Sequence, residues 1–163
     1  MSRIRIAVLV SGKGRGSNMQ AIIDACLSGE IDGEVALVLG VKDDSPAMHR
    51  ARAAGVPTLA ISSESYERRE DYDAAVLKAL RDSRVDLVCL AGYMRLLGLD
   101  TVREYRNRIM NVHPALVPSF AGQGMYGHHV HEAVLARGVK YTGVTVHFVD
   151  EEYDRGPIIL QSI

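Results

Sequence analysis

The sequence lacks an excess of either charge. Its 163 residues include 19 basic and 20 acidic side chains, for a formal net charge of −1. No basic surplus predicts binding to nucleic acid, and no acidic tail predicts a solvating arm. The apolar fraction of 47% and the charged fraction of 24% are typical of a globular domain with a sizeable core. We therefore expect no nucleic acid as a partner, and a homodimer is possible.

Cysteines are few, and long apolar runs are missing. Cys26 and Cys89 lie far apart without the spacing of metal ligands, which indicates free thiols in a reducing compartment. The apolar run at residues 4–10 is too short for the hydrophobic part of a signal peptide or for a membrane span. These absences predict a cytoplasmic protein without a membrane partner. Repeats and linker-like stretches are also missing, so we expect residues 1–163 to form a single domain.

Segments of strand character and helix character alternate along the chain. Several apolar runs rich in β-branched residues predict strands buried on both faces, and segments of helical periodicity follow most of them. The predicted strands are 4–10, 34–41, 56–61, 85–92, 108–112 and 141–149, and the predicted helices are 18–28, 46–54, 65–83 and 131–138. Ser17 and Ser45 stand at predicted helix N-caps. Repeated strand–helix units predict an α/β fold, with a doubly wound, mostly parallel twisted sheet between two helix layers.

Ligands of such sheets bind beyond the carboxyl ends of the strands. This rule selects the loops that follow Val10, Leu90, Met110 and Val149. The first of them, SGKGRGSN at residues 11–18, has glycines that let backbone N–H groups surround an anion at a helix N-terminus. It is neither a Walker loop nor a G-x-G-x-x-G motif. We interpret it as a phosphate site, with a turn that binds nothing and a nicotinamide site as alternatives.

The next two loops carry apolar and polar groups. AGYMRLLG at residues 91–98 predicts either a helix that enters the core or the wall of a flat apolar pocket. In NVHPALVP at residues 111–118, Asn111 and His113 project to one side of an extended segment, and Pro114 keeps His113 extended. An amide and an imidazole side by side suit acyl transfer, although a histidine at a strand end is often structural. Because no nucleophile motif accompanies them, direct attack by a substrate amine is favoured.

The last loop is acidic, and a histidine cluster precedes it. HFVDEEYDRGP at residues 147–157 holds four carboxylates, which predict a solvated turn or an aspartate that reaches back to His113. His128, His129 and His131 lack a partner ligand at metal-binding spacing. We therefore expect no metal and interpret these histidines as the entry to a helix.

Taken in order, four segments resemble the phosphoribosylglycinamide formyltransferase (GAR transformylase) family of folate-dependent enzymes. These are GSN at 16–18, AGYMRLLG at 91–98, NVHPALVP at 111–118, and residues 127–161. The resemblance implies a Rossmann-like formyltransferase fold with three α/β/α layers. It also implies transfer of a formyl group from the co-substrate 10-formyltetrahydrofolate to the amine of glycinamide ribonucleotide in purine (IMP) biosynthesis.

The resemblance further implies roles for individual residues. Asn111 would hold the formyl oxygen as it becomes an oxyanion, and His113 would stabilise the tetrahedral species and move protons. The acidic partner would be Asp154 rather than Asp150. Gly16, Ser17, Asn18 and Pro114 would bind the ribonucleotide. The folate would be bound by Arg69, Met94, Arg95, Leu96, Leu97 and Asn111.

Some features depart from the family. The first loop is about two residues longer than the shortest family form and adds Lys13 and Arg15. Family members continue with a further strand segment and a C-terminal helix, which this sequence is expected to lack. The alternatives are a formyltetrahydrofolate hydrolase, a sugar-nucleotide formyltransferase, or a nucleotide-binding Rossmann module without catalysis. A methionyl-tRNA formyltransferase would need a second, basic domain for which 163 residues leave no room.

Overall fold

The computed structural model describes residues 3–163 and shows a seven-stranded sheet with helices on both faces. The strands are β1 (Ile4–Val10), β2 (Gly33–Gly40), β3 (Thr58–Ala60), β4 (Leu87–Ala91), β5 (Ile109–His113), β6 (Val144–Phe148) and β7 (Ile158–Ser162). Their order across the sheet is β3-β2-β1-β4-β5-β6-β7. The first five strands pair in parallel. β6 pairs antiparallel with β5, and β7 pairs antiparallel with β6. The predicted doubly wound, mostly parallel α/β fold is confirmed.

Within the described part of the chain, five α-helices accompany the sheet. They are α1 (Ser17–Ser28), α2 (Pro46–Ala53), α3 (Arg69–Asp82), α4 (Leu99–Glu104) and α5 (His128–Arg137). The longest described helix, α3, has 14 residues. Within residues 3–163, no helix is both long enough and apolar enough to cross a membrane. Cys26 is buried, Cys89 is half-buried, and both are free thiols.

β1 forms the centre of the core because both of its faces are covered. Ile6, Val8 and Val10 pack with α1 and α2, whereas Ala7 and Leu9 pack with α3 and α4. All five are at most 2% exposed. Since a fully buried Val, Leu or Ile side chain contributes about 1.5–3 kcal/mol, the run of apolar residues explains why this segment is the central strand.

The chain changes direction across the sheet next to β1. From β1 it proceeds outwards to β2 and β3, and it then returns to β4 on the other side of β1. This reversal leaves a crevice at the carboxyl ends of β1 and β4, because the helices that follow these strands lie on opposite faces. The loops after β1 and β4 therefore border the same crevice.

Of the two predicted helix N-caps, one is correct and one is wrong. Ser45 is the N-cap of α2 as predicted, and its hydroxyl accepts a hydrogen bond from the Met48 N–H at 3.3 Å. The predicted cap at Ser17 is wrong, because Gly16 is the cap and Ser17 is the first helical residue. Gly16 has φ of +75°, and a Cβ there would lie 2.8 Å from Ala47 Cβ. Close packing against α2 therefore requires glycine at this turn.

Two elements are absent from the sequence-based prediction. α4 has six residues, which is too short for a helical period to be visible. β7 is exposed along its whole length, so its apolar residues do not alternate with polar ones as a half-buried strand requires. The predicted helix 65–83 begins only at Arg69, because residues 63–65 form a 3-10 turn in which the Ser62 hydroxyl accepts from the Glu64 N–H.

Candidate active site

A cleft of about 790 Å³ lies at the carboxyl ends of β4 and β5. Its walls come from the start of α1, the loop after β4, the end of β5, residues 122–127, and the loop after β6. A volume of this size is typical of a small-molecule site. The predicted site residues that line it are Asn18, Met94, Arg95, Leu96, Leu97, Asn111, His113, Pro114 and Asp154. Gly16, Ser17 and Arg69 lie outside its lining.

Asp154 is the centre of a buried polar cluster in this cleft. Its Oδ1 accepts a hydrogen bond from Asn111 Nδ2 at 3.4 Å and lies 3.5 Å from His147 Nε2. Its Oδ2 accepts from the Gly122 N–H at 3.1 Å and lies 3.4 Å from His113 Nδ1. The Asp154 side chain is 11% exposed, and the two histidine side chains are 3% and 2% exposed. The structure thus brings Asn111, His113 and Asp154 together.

The loop that carries Asp154 reaches the cluster by a route that sequence reasoning did not predict. β6 runs antiparallel to β5, so the carboxyl end of β6 lies beside the amino end of β5. The sequence-based rule placed the loop after Val149 with the loops at the carboxyl ends of the parallel strands, and that placement is wrong. The loop instead turns back over the sheet, with Phe148 N–H donating to the Pro157 carbonyl at 2.8 Å. Asp150 serves the turn, because its Oδ1 accepts from the Glu152 N–H at 2.9 Å. Both alternatives for the acidic run are therefore realised.

Two residues in the left-handed backbone region hold the ring of His113. Nε2 lies 2.7 Å from the Phe120 carbonyl oxygen, and since a carbonyl only accepts, Nε2–H is the donor. On the other side, Nδ1 faces the carboxylate of Asp154. Phe120 has φ of +53° and Asp154 has φ of +52°, a region that residues other than glycine rarely adopt. Both contacts of His113 therefore depend on strained backbone.

His147 is a member of the cluster that sequence reasoning missed. It pairs with Asn111 across the β5–β6 register, and its Nε2 lies 3.2 Å from Asn111 Nδ2. Its Nδ1 donates to the Phe148 carbonyl at 2.9 Å, which leaves Nε2 to accept from the amide when the ring is neutral. The signal that could have found it is its cross-strand position, which requires knowing that β6 is antiparallel to β5.

The pKa values of Asp154 and His147 are shifted in opposite directions. For Asp154, burial acts to raise the pKa, but hydrogen bonds from His147 and Gly122 N–H together with the nearby histidine charges outweigh it and lower the pKa. For His147, burial acts to lower the pKa, but the contacts with Asp154 and the Phe148 carbonyl and the charge of Asp150 outweigh it and raise the pKa. The cluster therefore favours an ionised Asp154 beside a protonated His147.

These shifts predict how the stability of the protein depends on pH. His147 stabilises the fold fully below its ordinary pKa of 6.5, and this contribution is lost as pH rises through the raised pKa. Asp154 stabilises it above the ordinary pKa of 3.8, and this contribution is lost as pH falls through the lowered value. We expect the difference in the free energy of unfolding between wild type and His147→Gln to shrink from about pH 5.5 to about pH 9 in urea titrations. A difference that grows with pH would show that the linkage has the wrong sign.

The loop after β4 forms an apolar wall of the cleft. Residues 93–97 contain no helix, so the helical alternative for this loop is wrong, and α4 starts only at Leu99. Within the described chain, no backbone N–H of residues 93–97 donates to another backbone carbonyl. Met94 is 49% exposed beside the buried Leu97. The wall thus offers apolar side chains together with unused backbone donors, a combination that suits the edge of a flat heterocycle.

The start of α1 forms another part of the cleft. No side chain caps this helix, so its first N–H groups have no side-chain acceptor. Asn18 lines the cleft, whereas Lys13 and Arg15 are exposed on the loop before it. Uncapped N–H groups and the helix dipole favour an anion at this end. The geometry is compatible with the phosphate site that the loop predicts.

Arg69 and the histidine cluster lie at the margin of the site. The Arg69 guanidinium donates to the Leu96 carbonyl at 2.7 Å and to Asp73 Oδ2 at 3.3 Å. Its role towards a folate stays a prediction. Of the three neighbouring histidines, only His131 lines the cleft. Among the residues that the structure describes, no group of three or more His, Cys, Asp or Glu side chains could hold a metal ion.

Comparisons with known proteins place the chain among formyl-transferring proteins. A family model described as formyl transferase matches residues 4–163. The trifunctional purine biosynthetic protein adenosine-3 of Drosophila melanogaster is 46% identical over 98% of this chain and 12% of that protein. The chloroplastic phosphoribosylglycinamide formyltransferase of Arabidopsis thaliana is 42% identical over 98% of this chain and 54% of that protein. The chain thus spans about an eighth of the first relative and about half of the second.

A solved structure agrees with these relatives. The crystal structure of glycinamide ribonucleotide transformylase 1 from Symbiobacterium toebii superposes with a TM-score of 0.91 at 45% identity. The superposition covers 99% of this chain and 73% of that chain.

Proposed function

The chain belongs to the formyl transferase family, and we propose that it transfers a formyl group from 10-formyltetrahydrofolate to the primary amine of glycinamide ribonucleotide, a step of purine biosynthesis. The observation that carries this proposal is the buried cluster of Asn111, His113, His147 and Asp154 in the cleft. An amide donor, a proton-handling imidazole and an ionised carboxylate are the groups that transfer of an acyl group between two bound substrates requires. The cytoplasmic location and the homodimer stay predictions.

The lining of the cleft supports direct attack by the amine. The described residues that line it include no serine, threonine or cysteine that could form an acyl intermediate. A neutral amine is already a nucleophile, so the protein needs only to position it and to stabilise charge. In this proposal the amine forms a bond to the formyl carbon, and His113 accepts the proton that the amine loses while Asp154 holds the imidazolium. The same proton passes to N10 of the folate as the bond between N10 and the formyl carbon breaks. Nε2 can accept this proton only in the tautomer that carries its hydrogen on Nδ1, towards Asp154, and only after Nε2 has turned away from the Phe120 carbonyl.

Asn111 needs a similar change before its amide can hold the formyl oxygen. Its Nδ2 hydrogens are directed at His147 Nε2 and Asp154 Oδ1. When His147 is protonated, Nε2 becomes a donor towards Asp154, and one Asn111 hydrogen is released for an oxyanion. The raised pKa of His147 supports this state. His147 thereby acts through Asn111 rather than on the substrate.

The cleft fits the co-substrate in its chemistry. When bound, 10-formyltetrahydrofolate supplies the activated formyl group. Met94, Leu96 and Leu97 would contact the apolar faces of its ring system, and the unused backbone N–H groups of residues 93–97 would pair with the polar ring edge. The uncapped start of α1 with Asn18 would hold the phosphate of the ribonucleotide.

The test is an absorbance assay with glycinamide ribonucleotide and 10-formyl-5,8-dideazafolate. We expect deformylation of the folate analogue that requires both compounds. Deformylation without the ribonucleotide would assign the protein to the hydrolases instead. Activity with an amino-sugar nucleotide in place of glycinamide ribonucleotide would make it a sugar-nucleotide formyltransferase. Binding of the ribonucleotide without turnover of any formyl donor would leave a nucleotide-binding module and would contradict the proposal.

A further inference from the structure

We propose that Tyr72 and Tyr93 are positioning residues that fix the cleft wall at residues 93–97 and thereby set the affinity for the folate co-substrate, an inference that rests on the proposed function. Tyr72 lies in the first turn of α3, and Tyr93 begins the wall directly after β4 and Gly92. Their hydroxyl oxygens lie 2.7 Å apart. The two residues are 3% and 7% exposed, so this hydrogen bond is shielded from water.

The wall depends on such contacts because it has no regular structure. The N–H groups of residues 93–97 make no backbone hydrogen bonds within the described chain, so nothing in the local backbone fixes their dihedral angles. Gly92, which precedes the wall, has φ of +76°. Because glycine is conformationally permissive, it does not restrict the backbone conformation of the residues that follow it. A wall of this kind keeps one shape only where side chains from a rigid element hold it. α3 is that element.

Three contacts join the first turns of α3 to the wall. The first is the Tyr72–Tyr93 hydroxyl pair. The second is the Arg95 guanidinium, which lies 5.8 Å from the centre of the Tyr72 ring, within the range of a cation–π contact. The third is the hydrogen bond from Arg69 to the Leu96 carbonyl at 2.7 Å. Tyr72 takes part in two of the three contacts, so it is the principal link.

The Tyr72 ring also contacts a second aromatic ring. Tyr66 packs its ring against it edge to face, with centroids 6.0 Å apart. Burial first, and then the hydrogen bond from its partner, raise the pKa of Tyr93 far above the ordinary value of a phenol. Tyr93 therefore stays neutral over the working pH range. A neutral, buried and doubly supported hydrogen bond suits a fixed mechanical link rather than a proton carrier.

Kinetics can separate this positioning role from a purely structural one. A structural role would lower the melting temperature and would affect both substrates alike. The positioning role acts on one wall of the cleft, which the proposed function assigns to the folate and not to the ribonucleotide. The discriminating readout is therefore the split between the two KM values, with kcat measured alongside.

The experiment compares wild type with Tyr72→Phe, Tyr93→Phe and the double variant in the absorbance assay. We expect each single variant to raise the KM for 10-formyl-5,8-dideazafolate about fivefold to tenfold, with the KM for glycinamide ribonucleotide and kcat within about twofold. The double variant should be no worse than the worse single variant, because one hydrogen bond is lost in every case. Each phenylalanine keeps the buried ring, and the double variant leaves no unpaired hydroxyl, so folding is preserved.

Tyr105→Phe is the matched control, since Tyr105 is also 3% exposed in the same apolar cluster and lies outside the cleft lining. It should leave both KM values unchanged. Equal changes in both KM values, multiplicative effects in the double variant, or a loss of melting temperature alone would overturn the positioning role. Direct binding of 5,8-dideazafolate by calorimetry separates the two proposals. Wild type that binds without turnover contradicts the proposed function only, and wild type that neither binds nor turns over contradicts both.

Discussion

Replacing Asp154 by asparagine should lower kcat by a factor of about 10² or more, as expected when a group that stabilises transition-state charge is removed. The amide can still accept from the Gly122 N–H, so the loop keeps its anchor. The negative charge that faces His113 and His147 is lost, and neither imidazolium is then stabilised. Because Asp154 contacts Asn111 and the two histidines rather than the apolar wall, the KM for the folate should change little. Steady-state kinetics in the absorbance assay measure both constants.

Asp150→Asn is the control for this experiment. Asp150 lies in the same loop, but its carboxylate accepts from the Glu152 N–H and belongs to the exposed turn. Of the contributions that raise the pKa of His147, the charge of Asp150 is the smallest, so the same change of charge four residues away should leave kcat within about twofold. His113→Ala should collapse turnover as Asp154→Asn does while folate binding stays measurable. A His113→Ala or Asp154→Asn variant with near-native kcat would show that the cluster is not the reaction centre.

The largest loss of stability is expected from Gly156→Ala. An alanine Cβ at this position would lie 1.8 Å from the carbonyl oxygen of Phe148 and 2.7 Å from its carbonyl carbon. Both atoms belong to the backbone at the end of β6, so no side chain can move aside to make room. We expect a loss of about 3 kcal/mol or more in the free energy of unfolding, which for a chain of this length lowers the melting temperature by roughly 6–12 °C.

Gly55→Ala supplies the comparison for the stability measurement. Gly55 has φ of +72° with no atom within 4 Å of the added Cβ, so the substitution brings backbone strain without a clash. A loss of only about 1 kcal/mol is expected there. Thermal and urea unfolding of both variants measure the difference. If Gly156→Ala unfolds no more easily than Gly55→Ala, the close approach of residues 148 and 156 does not limit the fold.

The sequence predicts the parts of the fold that depend on local pattern. β1 is predicted with its observed bounds because its apolar run is buried on both faces, and α2 is predicted from its serine cap followed by proline. The antiparallel direction of β6 leaves no local pattern, because a buried apolar strand has the same composition in either direction. The return of the Asp154 loop over the sheet follows from that direction, and it could not be predicted either.

The candidate site shows the same limit. Asn111 and His113 are visible as neighbours in the sequence, since alternate residues of one strand share a face. His147 becomes a partner of Asn111 only through strand pairing 36 residues away. The Phe120 carbonyl and the Gly122 N–H are backbone groups, for which residue type carries no signal. Tyr72 in α3 and Tyr93 after β4 are 21 residues apart in the sequence, and only the packing of the core brings their hydroxyl groups together.

The left-handed backbone at Phe120 and Asp154 places stability and function in opposition. Each residue bears strain that a glycine would relieve, and each provides one of the two contacts of His113. Selection for heat resistance alone would therefore favour a relaxed backbone at these positions, and it would loosen the ring of His113 as it did so. When variants of this protein are selected for thermal stability without regard to turnover, the first inactive variants to appear should carry substitutions at residues 120 and 154.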